Sequence, residues 1–147
     1  MKKDSIRDYA TEAFRFYAAL GKPSYRTLKA QYMAEAFEEY HREHEKGSGI
    51  GKPTEAAVIY AEKQTEKKTA ELLDILAVEK VYFTSKRLVR EVIEIVYFQD
   101  PTEPLRKGDI SERVTKASLE TFTSERGVYA ILKAVRMRFA EERGLRI

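Results

Sequence analysis

Apolar residues recur every three or four positions through most of this chain, and no segment alternates in the way that a half-buried strand would. Two helices are predicted before the glycine-rich stretch GSGIGKPT at 47–54. Asp4 is the expected cap of the first helix, which ends at Gly21, and the second helix begins near Ser24. The pattern predicts an all-α protein.

The pattern continues after that stretch. A long helix is predicted over 54–83, capped by Thr54, although its middle at 62–71 is polar on nearly all sides. The segment 86–98 is densely apolar and is expected at the centre of the core. Two prolines and a glycine mark 99–109 as a loop.

The last part of the chain predicts a short helix, a turn and a long helix. The short helix covers 109–116, the turn contains ASLETFT, and the long helix begins after Ser124 as its cap. At 100° per residue, one side of the long helix is apolar and is expected to be buried, at Val128, Ile131, Leu132, Val135 and Phe139. We therefore predict an N-terminal helical region at 1–83 and a C-terminal helix-turn-helix module at 84–147.

Positive charge is concentrated in the same final region. Residues 1–46 hold nine Lys/Arg against eight Asp/Glu, and residues 47–100 hold eight against nine. Residues 101–147 hold ten against seven, which equals the net charge of +3 for the chain. A basic stripe on one helix is typical of proteins that bind nucleic acid, although many helices expose cations for solubility alone.

The final helix also resembles a known DNA-binding element. Ser124, Val128, Ile131, Val135 and Phe139 follow the spacing of the recognition helix of sigma-factor region 4, which is similar to that of small phage transcriptional regulators of the RinA and ArpU type. The resemblance covers about the last 60 residues. It implies a phage or prophage regulator that binds double-stranded DNA, with RNA polymerase as a further partner. An extra turn or wing is expected after Val114, because the distance to Ser124 exceeds the tight turn of that family.

Six residues are candidates for DNA contact, and they lie at the start of the helix or on its polar side: Ser124, Arg126, Tyr129, Ala130, Lys133 and Arg136. Arg126 offers a fork to guanine, and small Ala130 allows close approach to the bases. Ser124 leaves backbone amides at a positive dipole end that suits a phosphate. Lys133 and Arg136 suit backbone phosphates, and Tyr129 lies on their flank.

Two alternatives remain open at this point. A small terminase subunit would bind DNA as a closed ring, and a helical adaptor would bind protein with its basic helix merely solvated. A DNA-binding module of this size favours a dimer on paired half-sites, so a homo-oligomer is expected, with 54–83 as the candidate assembly helix.

The sequence offers no support for catalysis. The chain has no cysteine, and its two histidines, His41 and His44, lie in a run of charged residues. Glu38 and His41 have a spacing used by di-iron bundles, but a second Glu-x-x-His is missing. The stretch 47–54 departs from a phosphate-binding loop, since Gly47 is one residue too close and Pro53 replaces the Ser/Thr. We predict no enzyme, cofactor or metal.

The expected location is the cytoplasm of a bacterial host cell. The N-terminal segment becomes polar before any apolar stretch of a signal peptide forms. The apolar runs are far too short to span a membrane. The absence of cysteine fits a reducing compartment.

Overall fold

A computed structural model of the chain describes residues 4–44 and 53–146, and these ranges contain seven α-helices and no strand. The all-α prediction is confirmed. The helices are α1 (Ser5–Ala19), α2 (Tyr25–His44), α3 (Pro53–Glu66), α4 (Thr69–Thr84), α5 (Arg87–Val96), α6 (Asp109–Thr121) and α7 (Glu125–Arg143).

The helices belong to two compact units. One contains residues 1–22 and 74–147, and the other contains residues 23–73. This division differs from the predicted boundary after residue 83. Because α1 packs on α7, it belongs to the same unit as the C-terminal helices and not to the unit that contains α2 and α3. The local apolar pattern does not record such a pairing between distant segments. In the second unit, α2 packs along α3.

Three predicted helix ends, at Asp4, Gly21 and Ser24, are found where they were expected. The backbone amide of Arg7 donates to Asp4 Oδ1 at 2.9 Å, and that of Thr27 donates to Ser24 Oγ at 3.1 Å. Gly21 ends α1 with φ +85°, a conformation that costs glycine little. These three predictions are confirmed.

The predicted single helix over 54–83 is wrong, since α3 and α4 are separated at residues 67–68. The Lys68 amide donates to the Thr65 carbonyl at 2.9 Å, a three-residue step that tightens the chain. The Thr69 hydroxyl then bonds the Glu66 carbonyl at 2.6 Å. The break falls in the polar segment 62–71, which has no continuous apolar stripe to hold one straight helix against a core.

The stretch before α3 is only partly described. Residues 47–52 of the predicted connector lie outside the described ranges. The helix begins at Pro53, a residue favoured at the first helical position, one residue ahead of the predicted cap. The side chain of that cap, Thr54, is also outside the described residues.

The predicted turn after a short helix at 109–116 is also wrong. The segment 117–121 continues α6, so only residues 122–124 connect it to α7, and no extra turn or wing is present. Phe122 ends α6 in the left-handed conformation with φ +56°, and the Thr123 amide donates to the Ser118 carbonyl at 3.2 Å. A bulky residue adopts this conformation only rarely, so the sequence does not signal the turn.

The core of the first unit forms around α4, α5 and α7. Ile75, Val78 and Val81 of α4 are fully buried, as are Val92, Ile93 and Val96 of α5. The α5 helix packs on α6 and α7. The rings of Phe14 and Phe139 join α1 to α7, with centroids 5.9 Å apart. The position of α7 is thus fixed in part by its packing on α1, α5 and α6.

Candidate nucleic-acid interface

The two sides of α7 separate as the sequence predicted. Four of the five predicted apolar positions, Val128, Leu132, Val135 and Phe139, are at most 1% exposed, and Ile131 is half-buried. On the opposite side Arg126, Tyr129, Ala130 and Lys133 are exposed, and Arg136 is half-buried. The buried side holds the helix in the core, so its other side presents a fixed set of groups to solvent.

The arginines and lysine of α7 fall into two groups. The side chains of Arg126, Lys133 and Arg136 make no ion pair or hydrogen bond with another described residue. By contrast, the guanidinium of Arg138 donates to the hydroxyls of Thr84 and Ser85, the latter at 2.9 Å. The cations on the predicted DNA face thus remain available to an external anion, whereas Arg138 stabilises the end of α4.

Arg143, near the end of α7, is likewise used internally. Its Nε lies 2.6 Å from Asp74 Oδ1, and the Tyr9 hydroxyl donates to the same carboxylate at 2.8 Å. Burial alone would lower the pKa of Arg143, but its bonds to Asp74 and Tyr9 outweigh burial and raise it. This Tyr9–Asp74–Arg143 cluster connects α1, α4 and α7, and sequence reasoning did not find it.

The start of α7 is closely packed against the connection that precedes it. Ser124 caps the helix, accepting a bond of 3.0 Å from the Gly127 amide. A Cβ at Gly127 would lie 2.8 Å from Thr123 Cγ2, so glycine lets the first turn approach the connection. Glu125, the one acidic residue between Ser124 and Phe139, accepts a bond of 2.6 Å from the Thr115 hydroxyl. The first amides of an α-helix have no acceptor within the helix, and the Ser124 side chain supplies one to Gly127 alone.

A buried arginine fixes the loop between α5 and α6. Arg15 is 5% exposed and donates to the carbonyls of Gln99, Asp100 and Glu103, the first two at 3.2 and 3.0 Å. Burial and then the nearby charge of Arg113 lower the pKa of Arg15. The loop therefore has a fixed anchor in α1. In the sequence, the one sign of this anchor is that a cation, Arg15, falls near the buried side of α1.

The histidines lie in aromatic contacts on α2. The His41 ring packs edge-on against Phe37 at 4.5 Å, and the His44 ring stacks on Tyr40 at 4.0 Å. Over residues 4–44 and 53–146, no three side chains of His, Asp or Glu come together as metal ligands. None of the helices described there has an apolar stretch long enough to cross a membrane.

Comparison with known proteins gives no relative from which a function can be transferred: no protein-family model, no curated protein and no solved structure matches this chain. A function for this chain must therefore be inferred from its own residues.

Proposed function

We propose that this protein binds double-stranded DNA sequence-specifically through the exposed side of α7 and acts in transcriptional control, as a phage or prophage regulator. The observation that carries the proposal is the set of cations on that side. Arg126, Lys133 and Arg136 have no partner among the described residues, while Val128, Leu132, Val135 and Phe139 on the other side of the same helix are buried.

The groups along α7 have distinct roles in this proposal. Arg126 and Ala130 lie in the first two turns, where a recognition helix approaches base edges in the major groove. The Arg126 guanidinium can donate two bonds to guanine, and Ala130 leaves room for the backbone. Lys133 and Arg136 lie further along and contact phosphates, as do the uncapped amides at the start of α7. Tyr129 adds an exposed hydroxyl on the flank of this face.

The α6–α7 arrangement supports the same proposal. A connection of three residues, 122–124, joins the two helices, which is the length found in helix-turn-helix modules. A single module makes few base contacts, so we propose a homo-oligomer on repeated half-sites, with RNA polymerase as a further partner of the regulator.

The test is selection of bound fragments from host and prophage DNA at two salt concentrations. We expect wild type to recover one sequence, and Arg126→Ala to lose the preference for one base pair at a cost of about 1–3 kcal/mol. Lys133→Ala should weaken binding to all sequences and reduce the salt slope by about 0.9, the value of one phosphate contact. Lys63→Ala, which removes an exposed cation of α3, is the matched control and should change neither property.

A second readout locates the contact. The chain has three methionines, of which Met137 lies on the polar side of α7 and Met33 lies in the other unit. With ¹³C-labelled methionine methyl groups, target DNA should shift the Met137 resonance and leave that of Met33 in place.

Three outcomes would overturn the regulator assignment. A large ring that associates with an ATPase would favour the terminase alternative. Absence of DNA binding at low salt would favour the protein-binding adaptor. Binding that is unchanged in both the Arg126 and Lys133 variants would place the DNA contact on another surface.

A further inference from the structure

A groove of about 330 Å³ lies within the unit formed by residues 23–73. One wall is the stripe of α2 that carries Tyr25, Lys29 and Met33. The other wall comes from the end of α3 and the start of α4. The volume is within the range of small-molecule sites in proteins. The groove is made entirely by residues that the proposed DNA contact does not use.

The groove combines an apolar surface with an acidic edge. Tyr25, Met33 and Leu73 supply aromatic, thioether and aliphatic surface. Glu62 and Glu66 lie four residues apart on α3, one helical turn, and both are exposed at the groove. A ligand there would meet apolar contacts on one side and two carboxylates on the other.

The carboxylates are not neutralised by the chain itself. Neither Glu62 nor Glu66 forms a side-chain hydrogen bond or ion pair with another described residue. Lys29, the cation of the groove, lies over the Tyr25 ring with Nζ 5.9 Å from the centroid, and no ion pair joins it to either glutamate. The lining therefore carries two negative charges against one positive charge.

The charge balance decides the class of ligand. An anion would be repelled by the two carboxylates, and a neutral compound would gain only the apolar contacts. A cation gains the apolar contacts and the attraction of both carboxylates. We infer that this groove binds a small organic cation with an aromatic or aliphatic body, a function additional to DNA binding and independent of it.

The probe for the test is benzyltrimethylammonium, with 2-methyl-1-phenylpropan-2-ol as a neutral compound of similar shape. Titration of protein with ¹³C-labelled methionine methyl groups should shift the Met33 resonance and leave that of Met137 unchanged. The cation should bind more tightly than the neutral compound, and the difference should decrease as salt is added, because the carboxylates are exposed.

Substitutions of opposite charge sign make the test sharper. Glu62→Gln with Glu66→Gln keeps the side-chain shapes and should weaken binding of the cation about fivefold, whereas Lys29→Met should strengthen it about threefold. Glu55→Gln, which removes an exposed carboxylate of α3 outside the groove, is the matched control and should have no effect. Circular dichroism of each variant verifies that the helices are retained.

Three results would overturn the inference. One is equal affinity for the cation and the neutral compound. The other is unchanged cation affinity in the double glutamine variant. The third is an unshifted Met33 resonance at millimolar probe. None of these results bears on DNA binding, which has its own test.

Discussion

Removal of the Asp74 carboxylate is the sharpest test of how α7 is held. Asp74 and Arg143 have side-chain exposures of 17% and 15%, so Asp74→Ala would leave a guanidinium largely buried without its anion. Removal of one partner from a fully buried pair costs about 3–5 kcal/mol, and an exposed pair contributes at most about 1 kcal/mol. The Tyr9 hydroxyl would also lose its acceptor, at about 1 kcal/mol.

These values place the loss of unfolding free energy at about 3 kcal/mol, toward the buried limit because the pair is mostly shielded. For a protein of this size the melting temperature should fall by about 8 °C. Circular dichroism at 222 nm during heating and urea titration provides the assay, since the chain has no tryptophan. The double variant with Arg143→Met should recover about 2 kcal/mol, because no buried charge remains unpaired.

The matched control is the adjacent pair between the same two helices. Lys80 Nζ lies 3.1 Å from Glu142 Oε2, but these side chains are 60% and 36% exposed. Glu142→Ala should therefore cost less than about 0.5 kcal/mol. Equal losses for Asp74→Ala and Glu142→Ala would refute the reasoning from burial, and so would a double variant that recovers nothing.

Three further predictions concern the α6–α7 connection and a half-buried tyrosine. Gly127→Ala should lower the melting temperature because its Cβ would lie 2.8 Å from Thr123 Cγ2, and Thr123→Ser should restore it; a stable single variant would contradict the packing. Phe122→Gly should stabilise the chain by about 1 kcal/mol, since φ is +56° and the ring is 95% exposed; a lower melting temperature would contradict this. Burial and the hydrogen bond to Glu94 raise the pKa of Tyr82 to about 12, above an unfolded value of about 10, so its contribution to stability should be complete below pH 10 and be lost as pH rises to 12. Unfolding measured across that range should depend less on pH in Tyr82→Phe, and a phenol that titrates near pH 10 would refute the shift.

Local signals account for the parts of the fold that could be read from the sequence. Asp4, Ser24 and Ser124 each bond an amide three residues ahead, so the residue type and the following apolar spacing suffice to identify them. The buried side of α7 follows from its period alone. The end of α6 could not be read in this way, because Phe122 adopts a conformation usually given to glycine.

The parts that could not be predicted depend on distant residues. Residues far away in the chain decide whether an arginine on α7 is bound or available. Arg138 donates to the Ser85 hydroxyl and Arg143 pairs with the Asp74 carboxylate, whereas Arg126 has neither a hydroxyl nor a carboxylate partner among the described residues. All three have the same local appearance in the sequence. The sequence therefore identified the basic helix, but the structure was needed to separate its available cations from those that stabilise the fold.

The pairing of α1 with α7 has a consequence for synthesis of the protein. Arg143 is 134 positions beyond its hydrogen-bond partner Tyr9, and residues 23–73 form a separate unit in between. At about 5–20 residues per second, α1 leaves the ribosome on the order of 10 s before the helix that covers it. The rings of Tyr9 and Phe14, which contact Phe139 of α7, must remain uncovered by that helix during the interval, while the intervening unit can already fold. The first unit can therefore be completed only late in translation, and α1 is the segment for which a chaperone would matter most.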